Sequence, residues 1–445
     1  MSISCNKVGN VALAEGKLGE AETLYREGLD LARALARELG TPDARRHMST
    51  SLERVGDVAM AQGKLGEAET LHREGLELRR TLARELGTPD ARRGVSVSCN
   101  KLGDVARAQG RLGEAETLYR EGLDLARALE RELGTPDARH DVLPLLDRMG
   151  DMARSQGKLD DAETLYREGL VAARALAHEL GTPAARRNVS VFCDKVGDVA
   201  RAQGQLREAE TLHREGLDLA RALERELGTP AARRAVAVSC KNIGDLALMQ
   251  GKLGEADTLY REVPELTQAL EGELGTPQAR WDVSVSLDRV GDVARAKANF
   301  GEAERHYREG LDLARALTGD LGAPEARRNV TVLCDKVGDM LLAQGKLVEA
   351  EGLYCEGLEL RRTLARELGT PEAQRDVSVS CNKVGDVARA QGRFVEAEMF
   401  YCEGLESARV YLQQEPCPDA EANVAHLEEK LHSLPGGLSP IAVAK

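Results

Sequence analysis

TPDARRGVSVSCNKLGDVARAQGRLGEAETLYREGLDLARALERELG, residues Thr88–Gly134, is the stretch that decides the fold. Upstream, Gly87 suits the left-handed conformation that ends a helix, Thr88 suits the cap of the next one and Pro89 its first turn. Ala91, Val95, Cys99, Leu102 and Ala106 then recur at steps of four, four, three and four. That spacing predicts helix A, running to about Gln109. Gly110-Arg111-Leu112-Gly113 interrupts the pattern, and Ala115, Tyr119, Gly122, Ala126, Leu129 and Leu133 set up a second stripe, helix B, closed by Gly134. About three residues join the two helices, so they must lie antiparallel. Gly103, Ala106, Ala115 and Gly122 are small where the two backbones approach.

The unit recurs every 47 residues without insertion or deletion, marked by Gly9, Gly56, Gly103, Gly150, Gly197, Gly244, Gly291, Gly338 and Gly385. A fixed period means that each unit packs on its neighbours, and no segment alternates with period two, so the expected fold is an all-α solenoid of nine helix-turn-helix repeats. Cys99, Leu102, Gly103, Ala106, Gly110, Ala115, Tyr119 and Gly122 match in type and spacing most of the pattern of the tetratricopeptide repeat, which this unit resembles. The family repeat has 34 residues. The surplus here adds roughly two turns to each helix, and the proline that ends helix B in the family is missing. The longer form resembles the kinesin-light-chain-like subgroup and bacterial arrays. The resemblance implies a right-handed superhelix whose helix A faces line a concave groove that holds extended peptides.

The array is expected over residues 1–432, including a capping helix at about 419–431 after Glu415-Pro416-Cys417-Pro418, with 433–445 as a flexible tail. Two irregularities are expected inside it. Pro264 falls in the middle of helix B of the sixth repeat, and Ala298-Asn299 replaces the inter-helix glycine of the seventh, so a kink or altered step is expected near residues 260–300.

The net charge of −13 argues against bulk attraction to nucleic acid or anionic lipid. No apolar run approaches the roughly 18 residues of a membrane span and the start does not resemble a signal peptide, so a cytoplasmic location is expected. Cys5, Cys99, Cys193, Cys240, Cys334 and Cys381 share a position that leucine fills in other copies, which marks a buried apolar slot. His72 and His213 take the place of the helix B tyrosine. The string Gly338–Leu347 has the wrong spacing for a phosphate loop and lies on a helix and its turn. No metal, cofactor or small-molecule substrate is expected, and no enzyme.

What remains is a ladder on helix A. The residue after each repeat glycine is Asp57, Asp104, Asp151, Asp198, Asp245, Asp292, Asp339 and Asp386, with Asn10 in the first copy. Three residues before the glycine stand Asn6, Glu53, Asn100, Asp147, Asp194, Asp288, Asp335 and Asn382, interrupted by Lys241, and the next position holds Lys or Arg in eight copies. A third row varies: Leu13, Met60, Arg107, Arg154, Arg201, Leu248, Arg295, Leu342 and Arg389. Two readings stand side by side. In one the rows are a peptide-binding surface for a protein or extended peptide, basic or mixed in charge, with the arginines as anchors. In the other Asp104 pairs with Lys101 or Arg107 on its own helix. The Asp row departs from the Lys and Asn clamp of chaperone-binding relatives, which argues against an acidic C-terminal tail as ligand. The alternative role is that of a sensor or regulatory module controlling an effector, such as a caspase-like peptidase or transcription regulator, on another polypeptide.

Overall fold

The computed structural model describes residues 2–14, 17–321 and 324–435; the tail expected from 433 onward lies, after Pro435, outside the described residues. Nineteen α-helices occupy them, from α1 (Ser2–Ala14) to α19 (Pro418–His432), and no strand occurs among the described residues. The third repeat supplies α5 (Pro89–Ala108) and α6 (Leu112–Leu133), the helices A and B read from the stripe pattern. Residues 1–226 and 227–445 form two compact units. Within each, helices pack on those next to them in sequence, α5 on α6 and α17 (Pro371–Ala390) on α18 (Phe394–Gln414) for example, which is the packing of an all-α solenoid.

The local signals act as their chemistry requires. Thr88 takes an extended conformation and its hydroxyl accepts the Ala91 N–H at 3.3 Å, satisfying one orphan donor of the helix start. Gly87 closes the preceding helix at φ 60°, and Gly110 turns the chain into helix B at φ 77°. In the seventh repeat Ala298 keeps that turn at φ 59°, in a region where a Cβ is unfavourable.

Tyr119 is fully buried, and a Cβ on Gly103 would lie 2.6 Å from its Cε1. The repeat glycine is therefore the seat against which the helix B ring packs on helix A. His72 and His213 fill the same slot, against Gly56 and Gly197. A second close approach joins the helices where the Ser96 hydroxyl donates to the Gly122 carbonyl at 2.8 Å. The sixth repeat has Ala237 and Val263 at these two positions, so the serine is lost together with the glycine it serves. Pro264 follows at once, yet α12 (Leu253–Leu274) runs through it unbroken. The Thr267 hydroxyl donates to the Val263 carbonyl at 3.0 Å.

Cys99, Cys193, Cys240, Cys334 and Cys381 are buried and Cys5 is half-buried; none of the nine cysteines forms a disulfide. Burial pushes the Cys99, Cys193, Cys334 and Cys381 thiols up to about 12. Among the described residues no helix is long and apolar enough to cross a membrane.

Candidate peptide-binding face

The residue after the repeat glycine points from helix A towards the tip of its own helix B aromatic. Tyr119 donates to Asp104 at 2.8 Å, Tyr307 to Asp292 at 2.8 Å, Tyr354 to Asp339 at 2.6 Å and Tyr401 to Asp386 at 2.7 Å. Tyr25 donates to Asn10 at 2.7 Å, Tyr166 to Asp151, and Tyr260 to Asp245. A buried phenol thus finds its acceptor at the rim of the hairpin.

The same carboxylates also take a cation from the next repeat. Lys101 lies 3.0 Å from Asp57, Arg148 2.8 Å from Asp104, Lys195 2.6 Å from Asp151, Lys336 2.9 Å from Asp292 and Lys383 2.7 Å from Asp339. Arg289 approaches Asp245 at 3.7 Å, and Lys430 of the capping helix bonds Asp386. Four of these lysines, Lys195, Lys336, Lys383 and Lys430, also lie over the tyrosine ring, Lys383 at 5.2 Å from the Tyr354 centroid. Pairing within one helix, with Asp104 held by Lys101 or Arg107, is not the arrangement found: Asp104 is held by Tyr119 and Arg148, and Lys101 reaches back to Asp57. Long side chains on a helix lean towards its N-terminus, so Lys101 leans away from a carboxylate one turn downstream.

Two sites depart from this. Lys241 pairs with Asp245 on its own helix at 3.2 Å, and Asn242 stands where the other repeats carry Lys or Arg. Asp198 faces Arg201 at 3.4 Å, Arg154 at 3.5 Å and the His213 Nε2 at 3.8 Å.

In the second row, Asp147 and Asp288 share the lysines of the first, at 3.0 Å from Lys195 and 2.6 Å from Lys336. Asp194 meets His213 Nδ1 at 2.9 Å, and Asp335 meets the buried guanidinium of Arg361 at 2.9 Å. Asn100 and Asn382 are half-buried, each with its Oδ1 turned inward. In the third row Arg107 is exposed, Arg154 and Arg201 share Asp198, and Arg389 reaches Ser433 at 3.5 Å. Burial opposes the charge of Arg295, but Tyr307 and nearby carboxylates outweigh it and raise its pKa.

Burial also opposes ionisation of Asp151, but the Lys195 bond outweighs it and the carboxyl sits below its ordinary range. Asp288, 8 % exposed, goes the other way: burial raises it despite Lys336. Among the described residues no three His, Cys, Asp or Glu side chains converge to hold a metal.

Residues 95–130, most of the third hairpin, match the family model of the tetratricopeptide repeat. The other copies repeat that hairpin, so the fold is an array of tetratricopeptide-like repeats. No curated protein matches its sequence. Solved structures with a similar fold include the apo form of the quorum sensor NprR from B. thuringiensis, 13% identical with a TM-score of 0.52 over 91% of this chain and 97% of that one. The apo form of RapI aligns at 12% identity and a TM-score of 0.50, over 83% of this chain and 99% of its own. A signal transduction ATPase with numerous domains from Pyrococcus horikoshii, which has a tetratricopeptide repeat sensor, aligns at 12% identity and a TM-score of 0.53 over 92% of this chain. The present array spans 54% of that protein.

One row of this face was not legible as such. Val97 and Val191 in the first unit, and Val238, Val285, Val332 and Val379 in the second, stay on the surface of helix A. Val238 is 41% exposed and Val191, Val332 and Val379 are each 37% exposed. They lie out of phase with the buried stripe of Val95, Cys99 and Leu102, and that phase was the available signal. In the first three repeats two recesses of ≈ 270 and ≈ 260 Å³ open on this face. Asn10, Leu13, Thr50 and Arg54 line one; Thr50, Arg79, Arg93 and Val97 line the other. Both fall below the roughly 300 Å³ of a small-molecule pocket and suit single side chains.

Proposed function

We propose that this array is a non-enzymatic scaffold that holds an extended segment of a protein partner along the helix A face. The observation that carries the reading is the division of labour on that face. The Asp and Lys or Arg rungs are bonded to Tyr and to the neighbouring repeat, so they form a fixed floor. The valine row flanks it on one side, and on the other the variable third row, where Arg107 is exposed and Arg154, Arg201 and Arg389 make only long contacts of 3.4–3.5 Å. A fixed floor with open, variable flanks lets a partner be chosen without disturbing the stacking. Asp57 and Asp339 remain 39% and 46% exposed while paired with Lys101 and Lys383, and Arg107 is exposed on the same face of the third repeat, so a mixed-charge segment with apolar side chains over the valines is the partner chemistry that fits. The proposed setting is the cytoplasm, with no cofactor or metal in the task.

Selection from a displayed library of random peptides tests this directly. The expected outcome is a family of mixed-charge sequences whose binding weakens with salt and is lost when Val238, Val332 and Val379 are changed to Asp. Enrichment of nothing, or of peptides indifferent to those changes, overturns the reading.

The sensor reading has its own support, since the NprR structure is that of a quorum sensor and the Pyrococcus protein carries a tetratricopeptide repeat sensor. It predicts a change of shape on binding. A peptide that binds without altering the small-angle scattering profile favours the scaffold.

A further inference from the structure

Helix B turns one stripe away from helix A, and in seven repeats that stripe is polar. Its first position holds Gly, Asp or Arg, as in Gly113, Asp160 and Arg207. Four residues on stands Thr in the first six copies and Arg305 in the seventh, and three further stands Arg. That arginine ties successive repeats together: Arg167 lies 2.7 Å from Glu163 on its own helix and 2.6 Å from Glu208 on the next helix B. Arg73 and Arg261 do the same with their own pairs of acids.

The last two repeats change all three positions together. On α16 (Leu347–Leu368) they are Val348, Gly352 and Cys355, and on α18 they are Val395, Met399 and Cys402. Spacings of four and three keep each set on one helical face. The two helices lie side by side, with Arg362 on one paired to Glu403 on the other. Val348 is 78% exposed, Val395 73%, Met399 67% and Phe394 40%. Single exposed apolar residues need no explanation, but a switch at three positions in two adjacent copies is a different matter.

Val348, Val395 and Met399 present roughly 350 Å² of apolar surface on that face. One side of a standard interface buries about 800 Å², somewhat over half of it apolar. The strip is therefore the size of the apolar centre of one such face. Its margin carries both signs in ion pairs made within the chain, Arg308 with Glu349 at 3.6 Å and Arg409 with Glu428 at 3.0 Å, all four side chains 44% to 60% exposed and able to exchange partners. A two-fold rotation can place the acids of one copy against the bases of another, which a surface of single sign cannot do.

We propose that this strip is a self-association surface on which two copies of the chain pack their eighth and ninth repeats against each other. This goes beyond the binding role, since it uses the side of helix B turned away from the peptide-binding face.

Sedimentation of the full chain across a wide concentration range tests the proposal. A monomer–dimer equilibrium is expected. The triple variant Val348→Arg, Val395→Asp, Met399→Thr uses residue types that sister repeats carry at the same positions, and it should weaken association at least roughly 100-fold with unchanged helicity. Val171→Asp, at a lone exposed valine of α8 (Leu159–Leu180), should leave association intact. As an independent reading on the unmutated chain, labelling of Cys402 by a maleimide should slow as concentration rises. A wild-type protein that stays monomeric, forms open-ended oligomers, shows no concentration-dependent protection of Cys402, or associates equally well as the triple variant overturns the proposal.

Discussion

Lys195 Nζ lies 2.6 Å from Asp151 Oδ1, so a cation of the fifth repeat closes onto a carboxylate of the fourth. The Tyr166 phenol donates to the same oxygen from helix B. Three helices therefore meet at one carboxylate, and the same meeting recurs at Asp104, Asp292, Asp339 and Asp386. Stacking in a solenoid is a sum of nearest-neighbour terms, so a bond placed at each interface acts once per repeat.

Removing the charge at Asp151 should therefore be costly. Asp151→Asn loses a charge-assisted bond to Lys195 and weakens the Tyr166 acceptor, an expected loss of about 2 kcal/mol at neutral pH. The carboxyl is held below its unfolded value, so its contribution is present above that value, about 3.9, and fades as pH falls through the lower folded one. Urea denaturation of wild type and variant should show a gap at pH 7 that narrows below about pH 4. A gap independent of pH would assign the loss to packing.

Asp288 should behave in the opposite sense. Burial raises its carboxyl above the unfolded value, so the protonated form is the one the fold favours; that contribution is present below about 3.9 and lost as pH rises through the folded pKa. At neutral pH the ionised group is a net cost. Asp288→Asn leaves Lys336 with Asp292, 2.9 Å away, and should stabilise the protein by up to about 1 kcal/mol at pH 7 and by nothing at pH 4. Destabilisation at pH 7 would mean that the Lys336 bond outweighs the burial.

Ala298 holds a left-handed turn that Gly251 and Gly345 hold at φ 71° and 75° in the flanking repeats. Ala298→Gly should stabilise by about 0.5–1 kcal/mol, the relief of Cβ strain less the added freedom of the unfolded glycine. The reverse change, Gly251→Ala, should cost about 1 kcal/mol. Thermal unfolding of both variants gives the comparison, and equal midpoints would show that the turn relaxes.

The sequence carried the hairpins well because their signals are local. Thr88, Pro89, Gly87 and Gly110 act on the backbone within a turn or two of themselves. The partners of the ladder lie 44 residues away, one period less one helical turn. Reading charges along a single helix pairs Lys101 with Asp104, whereas the direction of the side chain sends it to Asp57. Asn242, the one exception in the cation row, was visible beforehand, but its meaning depended on knowing that the row serves the preceding repeat. Pro264 leaves α12 one continuous helical span, which bears on the continuity of the helix and not on the kink or altered step expected near it.

The helix A face can be tested by borrowing from its own copies. Leucine already occupies the third row at Leu13, Leu248 and Leu342, so Arg107→Leu, Arg154→Leu and Arg201→Leu place a resident side chain in three more repeats. Arg107 is exposed, and Arg154 and Arg201 approach Asp198 no closer than 3.4 Å, so their loss should move stability by less than about 1 kcal/mol. If these arginines anchor a mixed-charge peptide, selected peptides should bind the triple variant roughly 10- to 100-fold more weakly, with a shallower dependence on salt. Fluorescence anisotropy at low and high salt measures both quantities on one sample. Binding that weakens equally at every salt concentration would place the lost contact in shape, and unchanged binding would move the partner off this row altogether.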